Sequence, residues 1–426
     1  MKTHIYILYI GLLFACIPFQ NIKAQNPLLS LEEAKSMALL NNKKIKKASQ
    51  NIEAAKAAKA SIYASDKPFV EANAIGMHLG EPISLLIPEY NASATLGVSQ
   101  VIYAGGKINK AKKIGSSAVD LYSAQKELTD SEVLLEVETT YWQIVNVKGK
   151  VELAEKYKAL LTELLKDLTN LFEAGIIYKN DVLQVSVKLN EAELNLTKAT
   201  DGLAILKLKM AQLIGMANTN FMVEDSITNE ADLTNEISHT EAIENRPEIK
   251  MLRNAVEIEE LQTKVLQADR KPTIALNVSG LYATGEHINF SDGTNDMTTY
   301  YGLLSVHIPV FDWGSRKQKV KEQKFKTEAQ KLELEETEEL LLIQIENAYL
   351  ELQQALKRVE ITKNSLAQSE ENLRLNEDRF DAGTVIGKDL LEAQVLWQQA
   401  YSEVIDAKAL FKISEANYKK VVGNLH

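Results

Sequence analysis

Apolar residues in the C-terminal half recur every seven positions, at Ile345, Leu352, Val359, Leu366, Leu373 and Phe380, with Tyr349 and Leu356 at the intervening position. A seven-residue period kept over that length predicts a coiled-coil seam on one long helix. The surrounding stretch, 315–380, contains neither proline nor glycine, and its counterpart at 107–172 contains no proline and only Gly115 and Gly149. Each reads as a helical rod of some 66 residues, roughly 100 Å at ~1.5 Å per residue. The first rod carries a further stripe, Leu153, Tyr157, Leu160, Leu164, Leu168 and Leu171, which predicts neighbours on more than one side. Ala174-Gly175 and Ala382-Gly383 stop the rods, because glycine readily takes the left-handed conformation that closes a helix. A return helix follows each, to Gly215 and to Gly423, with Asn180 or Asp181, and Lys388 or Asp389, placed near its start as candidate caps. Each half thus holds a long antiparallel helical hairpin, preceded by a shorter helix at about 31–64 and about 241–269.

Between the short helix and the rod, the period changes from helical to two. Ala92, Ala94, Leu96 and Val98 alternate with Asn91, Ser93, Thr95 and Ser99. Ile274, Leu276, Val278 and Tyr282 alternate with Thr273, Asn277 and Ser279, and Leu304, Val306 and Ile308 alternate with Ser305 and His307. The segment 69–79 has the weakest pattern, with Glu71 and Asn73 on one face. Strands are expected at about 69–79, 91–103, 273–283 and 300–310, near the length that a tilted strand needs to cross a bilayer. Four strands cannot close a barrel, and open edges are not tolerated in lipid, so the pattern favours an oligomer without counting its subunits.

The halves are copies. FEAGIIYKNDVL at 172–183 returns as FDAGTVIGKDLL at 380–391, an offset of 208 residues that holds from about 98 to 215; nearer the start of each half the offset is 204. The four extra residues fall between Gly280 and about Val306, which marks a loop tip, where insertions are tolerated. The organisation is a leader at 1–24, a first repeat at 25–220, a linker at 221–240 and a second repeat at 241–426. The leader pattern is a short positive start, an apolar core and a small residue before Gln25, with cleavage after Ala24. The competing reading takes Leu13 to Cys16 as an acylation signal on the one cysteine.

A formal net charge of −10 and a pI near 5.4 argue against nucleic acid as partner. The six histidines, His4, His78, His239, His287, His307 and His426, are scattered and make no zinc motif, Lys107 completes no phosphate loop, and no nucleophile elbow occurs. No enzyme, cofactor or metal is expected.

The tandem plan, the strand-to-rod junctions IYAGGK (102–107) and PVFDWGSR (309–316), and the two tip sequences together resemble the TolC-like outer-membrane efflux proteins, the outer membrane factors, over 29–423. The resemblance implies a mainly α-helical chain with a membrane β-barrel portion. It implies a homotrimer whose twelve-strand barrel continues into an α-helical periplasmic tunnel, in the outer membrane of a Gram-negative bacterium. It also implies a membrane-fusion adaptor and an inner-membrane pump of RND or ABC type as partners, in efflux or type I secretion. By residue, it places Asp389 and Glu392 at the periplasmic constriction, with Asp181 as the repeat-related acid; Gln184 stands where the first repeat lacks the second acid. Plain helix capping is the other reading of Asp181 and Asp389, compatible with the first. Ala174, Gly175, Leu183, Ala382, Gly383 and Leu391 are expected at the adaptor-contacting tips, where a simple helix stop predicts the same glycines. Gly106, Pro309 and Gly314 are expected to turn the chain from barrel to tunnel. The rivals are a periplasmic coiled-coil scaffold and an adaptor protein, neither of which needs four alternating strands in two tandem repeats. Nothing in the sequence names a cargo.

Overall fold

A computed structural model describes residues 28–224 and 239–424; the leader, Cys16 and most of the linker lie outside the described residues. The chain runs β1 (Leu28–Leu29), α1 (Leu31–Asn41), α2 (Lys43–Ala64), β2 (Phe69–His78), β3 (Tyr90–Ala104), α3 (Lys107–Glu173), α4 (Lys179–Ile214), β4 (Met222–Val223), α5 (His239–Glu244), α6 (Pro247–Ala268), β5 (Thr273–Gly285), β6 (Asp296–His307), α7 (Ser315–Asp381) and α8 (Gly387–Val421). The rods α3 and α7 are 67 residues each. Both start directly after a left-handed glycine, Gly106 and Gly314, each with φ 83°.

Strands β2, β3, β5 and β6 form one antiparallel sheet in that order. Its register collects the alternating residues onto common faces. The rows Val70–Val98–Val278–Gly302 and Ala72–Leu96–Gly280–Tyr300 belong to one face, and Glu71–Gly97–Ser279–Tyr301 and Asn73–Thr95–Leu281–Thr299 to the other. The first face is apolar throughout its middle; the second is mixed, its hydroxyls and amides interrupted by Ile75, Leu281 and Leu303. No described helix is long and apolar enough to cross a membrane.

The core is drawn out along the rods as separate clusters. Rod α3 packs against α4, α2, α6 and α8, whereas α7 packs against α8 and α6. The extra stripe on α3 accounts for the difference: Leu153, Tyr157, Leu164 and Leu168 are buried, together with Leu161, which the stripe did not include. The two repeats meet where β3 pairs with β5, where α3 packs on α6 and where α3 packs on α8, the last contact tied by Asn146 Nδ2 donating to Asp406 Oδ1 at 2.8 Å and by Lys150 on the same carboxylate at 2.7 Å. Midway along the rods, β1 pairs in parallel with β4, and the Tyr141 hydroxyl accepts from Glu224 N at 3.1 Å and lies 3.2 Å from the Leu29 carbonyl oxygen. Lys35 and Glu138 form a buried ion pair beside this knot.

Two sequence expectations are corrected. The seam of α7 runs through Ile345, Ala348, Leu352, Ala355, Val359 and Thr362, so its second position is held by alanines; Leu356 is 37% exposed, whereas Tyr349 is half-buried at the seam's edge, its ring 6.0 Å from that of Tyr418 in α8. Leucine's size suggested a seam residue, but the alanines let α8 approach closely. The short helices are also broken. Asn42 and Arg246 are both extended (φ −60°, ψ 132° and φ −66°, ψ 131°) and each directly precedes the next helix; only Asn42 caps with its side chain, accepting from Lys44 N at 2.8 Å, and Pro247 occupies the first turn after Arg246, where its fixed φ and missing N–H suit a helix start.

Candidate functional site

The two helical tips are built alike. At the first, Gly175 takes φ 75°, donating its N–H to the Phe172 carbonyl at 2.9 Å, while Ile176 N donates to Leu171 O at 2.9 Å. At the second, Gly383 takes φ 68°, with Gly383 N to Phe380 O at 2.9 Å and Thr384 N to Arg379 O at 2.8 Å. These paired bonds satisfy the last carbonyls of each rod, and a left-handed residue is required between them. Ala174 and Ala382, one residue earlier, keep helical φ and ψ.

Capping by the acids is corrected. The residues preceding the return helices are Tyr178 and Ile386, both extended, and neither helix has a side-chain cap. Asp181 and Asp389 instead stand third in α4 and α8, where a carboxylate faces the positive end of the helix dipole. Asp389 is exposed, Asp181 half-buried. Glu392, one turn on, is exposed and lies 3.7 Å from Lys388 Nζ. Gln184 is likewise exposed. The two leucines part company: Leu183 is 52% exposed, but Leu391 is 7% exposed within the cluster of Leu164, Leu168, Leu390 and Ala393. Leu391 thus holds the tip together and is not offered at its surface.

That cluster brings α8 unusually near α3. A Cβ built on Gly387 would lie 2.6 Å from Leu168 Cδ2, so only glycine permits the observed approach. Sequence reading missed this position because the first repeat has Lys179 there and glycine at a helix start has several explanations. It also missed Glu377, near the end of α7. Burial pushes its carboxyl up, and Asp381, Asp378 and Glu163 add to the shift. The second tip is therefore strongly acidic on more than one helix.

At the other end of the rods, Gly106 and Gly314 turn the chain, while Pro309 lies just beyond the last residue of β6. Lys107 pairs with Asp269 at 2.8 Å across the first junction. At the second, Asp312 accepts from Gly314 N at 3.1 Å and from Arg316 N at 2.9 Å. The Arg316 N–H is the largest cause holding that carboxyl below its usual range. Among the described residues, no group of three or more His, Cys, Asp or Glu is placed to hold a metal ion.

A profile of the family described as outer membrane efflux protein matches residues 34–216 and 239–424. The chain belongs to the outer membrane efflux protein family. It is 20% identical over 347 residues to outer membrane protein TolC of Escherichia coli (strain K12), an alignment covering 78% of this chain and 70% of that protein. The fold is similar to the Campylobacter jejuni CmeC outer membrane channel (TM-score 0.80, 20% identity, 92% of this chain and 85% of that one). It is also similar to the open state of the Neisseria gonorrhoeae MtrE outer membrane channel (TM-score 0.78, 18% identity, 93% and 89%). The efflux-protein family is one of transport proteins rather than enzymes, and its members act in the outer membrane and extend into the periplasm. This chain is accordingly an outer-membrane efflux channel protein, and the scaffold and adaptor readings give way.

Proposed function

We propose that three copies of this chain close into one duct, their sheets forming a twelve-strand barrel and their hairpins an α-helical tunnel across the periplasm. Edge complementarity carries this reading. In one protomer, β2 and β6 are the outer strands of the sheet, each with one unpaired edge. Among the described helices, the uncovered apolar residues are concentrated on α4, at Leu183, Val187, Leu194, Ile205 and Leu208, and on α7, at Phe325, Leu332, Ile343 and Leu350. These helices flank the α3–α8 pair on opposite sides, so a ring of copies would cover both stripes and pair both strand edges. Unpaired backbone groups in lipid cost several kcal/mol each, which makes closure a requirement.

In the assembled duct, Asp389, Glu392 and Asp181 from each protomer would gather near the axis at the periplasmic end, forming a constriction of high negative potential that favours cations. The tips around Gly175 and Gly383, with Ala174, Ala382 and Leu183, would receive a periplasmic membrane-fusion adaptor joined to an RND or ABC pump, whose identity would set the cargo. Planar-bilayer recording tests the channel and the gate together. The expected result is a small cation-selective conductance that grows and loses selectivity in Asp389→Ala/Glu392→Ala. Unchanged conductance in the double variant moves the gate elsewhere, and no conductance from an inserted oligomer overturns the duct.

A further inference from the structure

The chain as a whole carries a net charge of −10, yet one level of it is strongly basic. On one edge of the sheet all four strands join helices: α2 ends at Ala64 before β2, α3 starts at Lys107 after β3, α6 ends at Ala268 before β5, and α7 starts at Ser315 after β6. The segments at these joins, 59–67, 107–113, 269–271 and 312–326, hold fourteen lysines and arginines against four acids. Each acid already has a partner among those cations: Asp66 pairs with Lys112, Asp269 with Lys107, Asp312 with Arg316 and Glu322 with Lys326. Ten cations are left over in each protomer. The band is narrow. About 15 Å back along α6, at ~1.5 Å per residue, acids return at Glu257, Glu259 and Glu260, bound by Ser117, Gln323 and Lys331.

Local helix chemistry runs against this placement. The first turns of α1, α4, α6 and α8 carry acids, as the positive end of the helix dipole favours, whereas those of α3 and α7 carry none and open on KINK and SRKQ. Cations gathered at a positive helix end destabilise the protomer, so their retention points to a negative partner outside it. Lys317, Lys321 and Lys324 make the clearest surface, spaced by four and three residues along one side of α7 and all exposed.

In a sheet that spans a bilayer, the edge bearing the helices stands at the level of the phospholipid phosphates, and anionic leaflets attract polybasic segments held at that level. Charge complementarity names the partner. We infer that this belt binds the anionic phospholipid headgroups of the membrane's periplasmic leaflet, through Lys317, Lys321 and Lys324 on α7 and through Lys113, Arg270 and Lys271 where α3 meets the end of α6. The inference rests on the barrel reading above.

Spin-labelled lipids make the belt measurable. The full chain is inserted as its oligomer into phosphatidylcholine vesicles doped with spin-labelled phosphatidylglycerol or spin-labelled phosphatidylcholine, and the fraction of each label immobilised at the protein surface is recorded. The expected result is a preference of about threefold for phosphatidylglycerol, falling toward equality at about 0.5 M salt and in Lys317→Gln/Lys321→Gln/Lys324→Gln, which keeps helix propensity. Lys113→Gln/Arg270→Gln/Lys271→Gln probes the second patch independently and serves if the first set does not assemble. Equal immobilisation of the two lipids by wild-type oligomer overturns the belt, as does a preference that the assembled variants retain in full. Ion selectivity in planar bilayers decides which side the cations face. A belt on the lipid side leaves selectivity unchanged in the variants, while a shift toward cations would put the lysines in the lumen, facing anionic cargo, and overturn the lipid role. Failure of the wild type to insert at all would instead sink the barrel reading on which the belt depends.

Discussion

Arg246 donates from Nη1 to the main-chain oxygen of Val421 at 2.7 Å, pinning the end of α8 to the start of α6. In the first repeat the same join is made by different chemistry: Asn42, the counterpart of Arg246, donates from Nδ2 to the oxygen of Leu213, the counterpart of Val421, at 2.9 Å. Each is a buried residue in extended conformation between two helices, and each satisfies a carbonyl that the ending helix leaves unpaired. Arg246 additionally binds Glu248 through two hydrogen bonds, 2.6 and 3.0 Å. Burial alone would raise the Glu248 carboxyl, but the guanidinium outweighs it and holds the carboxyl below its ordinary value.

Removing these pins should loosen the return helices before the rods. Arg246→Ala leaves a carbonyl and a carboxylate without their partner and should cost about 3 kcal/mol, and Asn42→Ala about 1–2 kcal/mol. Hydrogen exchange in 418–423 and 210–215, respectively, should rise first; equal protection in variant and wild type would refute the pinning role. Because the carboxyl of Glu248 is depressed on folding, its contribution is present above the unfolded carboxylate pKa and is lost as pH falls through the lower folded value.

Glu377 has the opposite sign. Its carboxyl is raised on folding, so packing at the second tip should be firmest below the unfolded carboxylate pKa and should weaken as pH rises through the raised folded value. Exchange protection around Leu373 and Phe380 should show that dependence in the wild type, and Glu377→Gln should flatten it. A Gln variant with an unchanged pH profile would rule out Glu377 as its source.

Gly387 permits the contact between α8 and Leu168. Gly387→Ala should push the start of α8 off α3, weakening the tip and enlarging the conductance, and Leu168→Ala in the same chain should restore the approach by vacating the space. Current unaltered by Gly387→Ala would mean that this contact does not hold the tip closed.

Leu96 and Thr95 are neighbours in β3 on opposite faces of the sheet. In the proposed barrel, arginine at Leu96, on the apolar face, should cost about 2–4 kcal/mol of stability, while arginine at Thr95, on the opposite face, should be tolerated. Urea unfolding of the inserted oligomer compares Leu96→Arg with Thr95→Arg; equal losses would contradict the assignment of faces.

The period-two runs made the strands legible, and the glycines and the absence of proline made the rods and tips legible, because these are local constraints written at fixed spacing. The tandem copy, with its acids at Asp181 and Asp389, was equally plain. What spacing alone could not choose was which of two adjacent apolar positions sits at the centre of the seam: Ala348 and Ala355 are buried there, while Tyr349 packs at its edge against Tyr418 and Leu356 is left exposed, because α8 lies close enough to need small residues. Nor could it tell Leu183 from Leu391, since the exposure of each depends on a helix from the other repeat. The breaks at Asn42 and Arg246 follow from carbonyls of Leu213 and Val421, some 170 residues away by sequence. Trp313 shows the limit most clearly, for its left-handed backbone (φ 54°) runs against residue preference and only the folded junction holds it there.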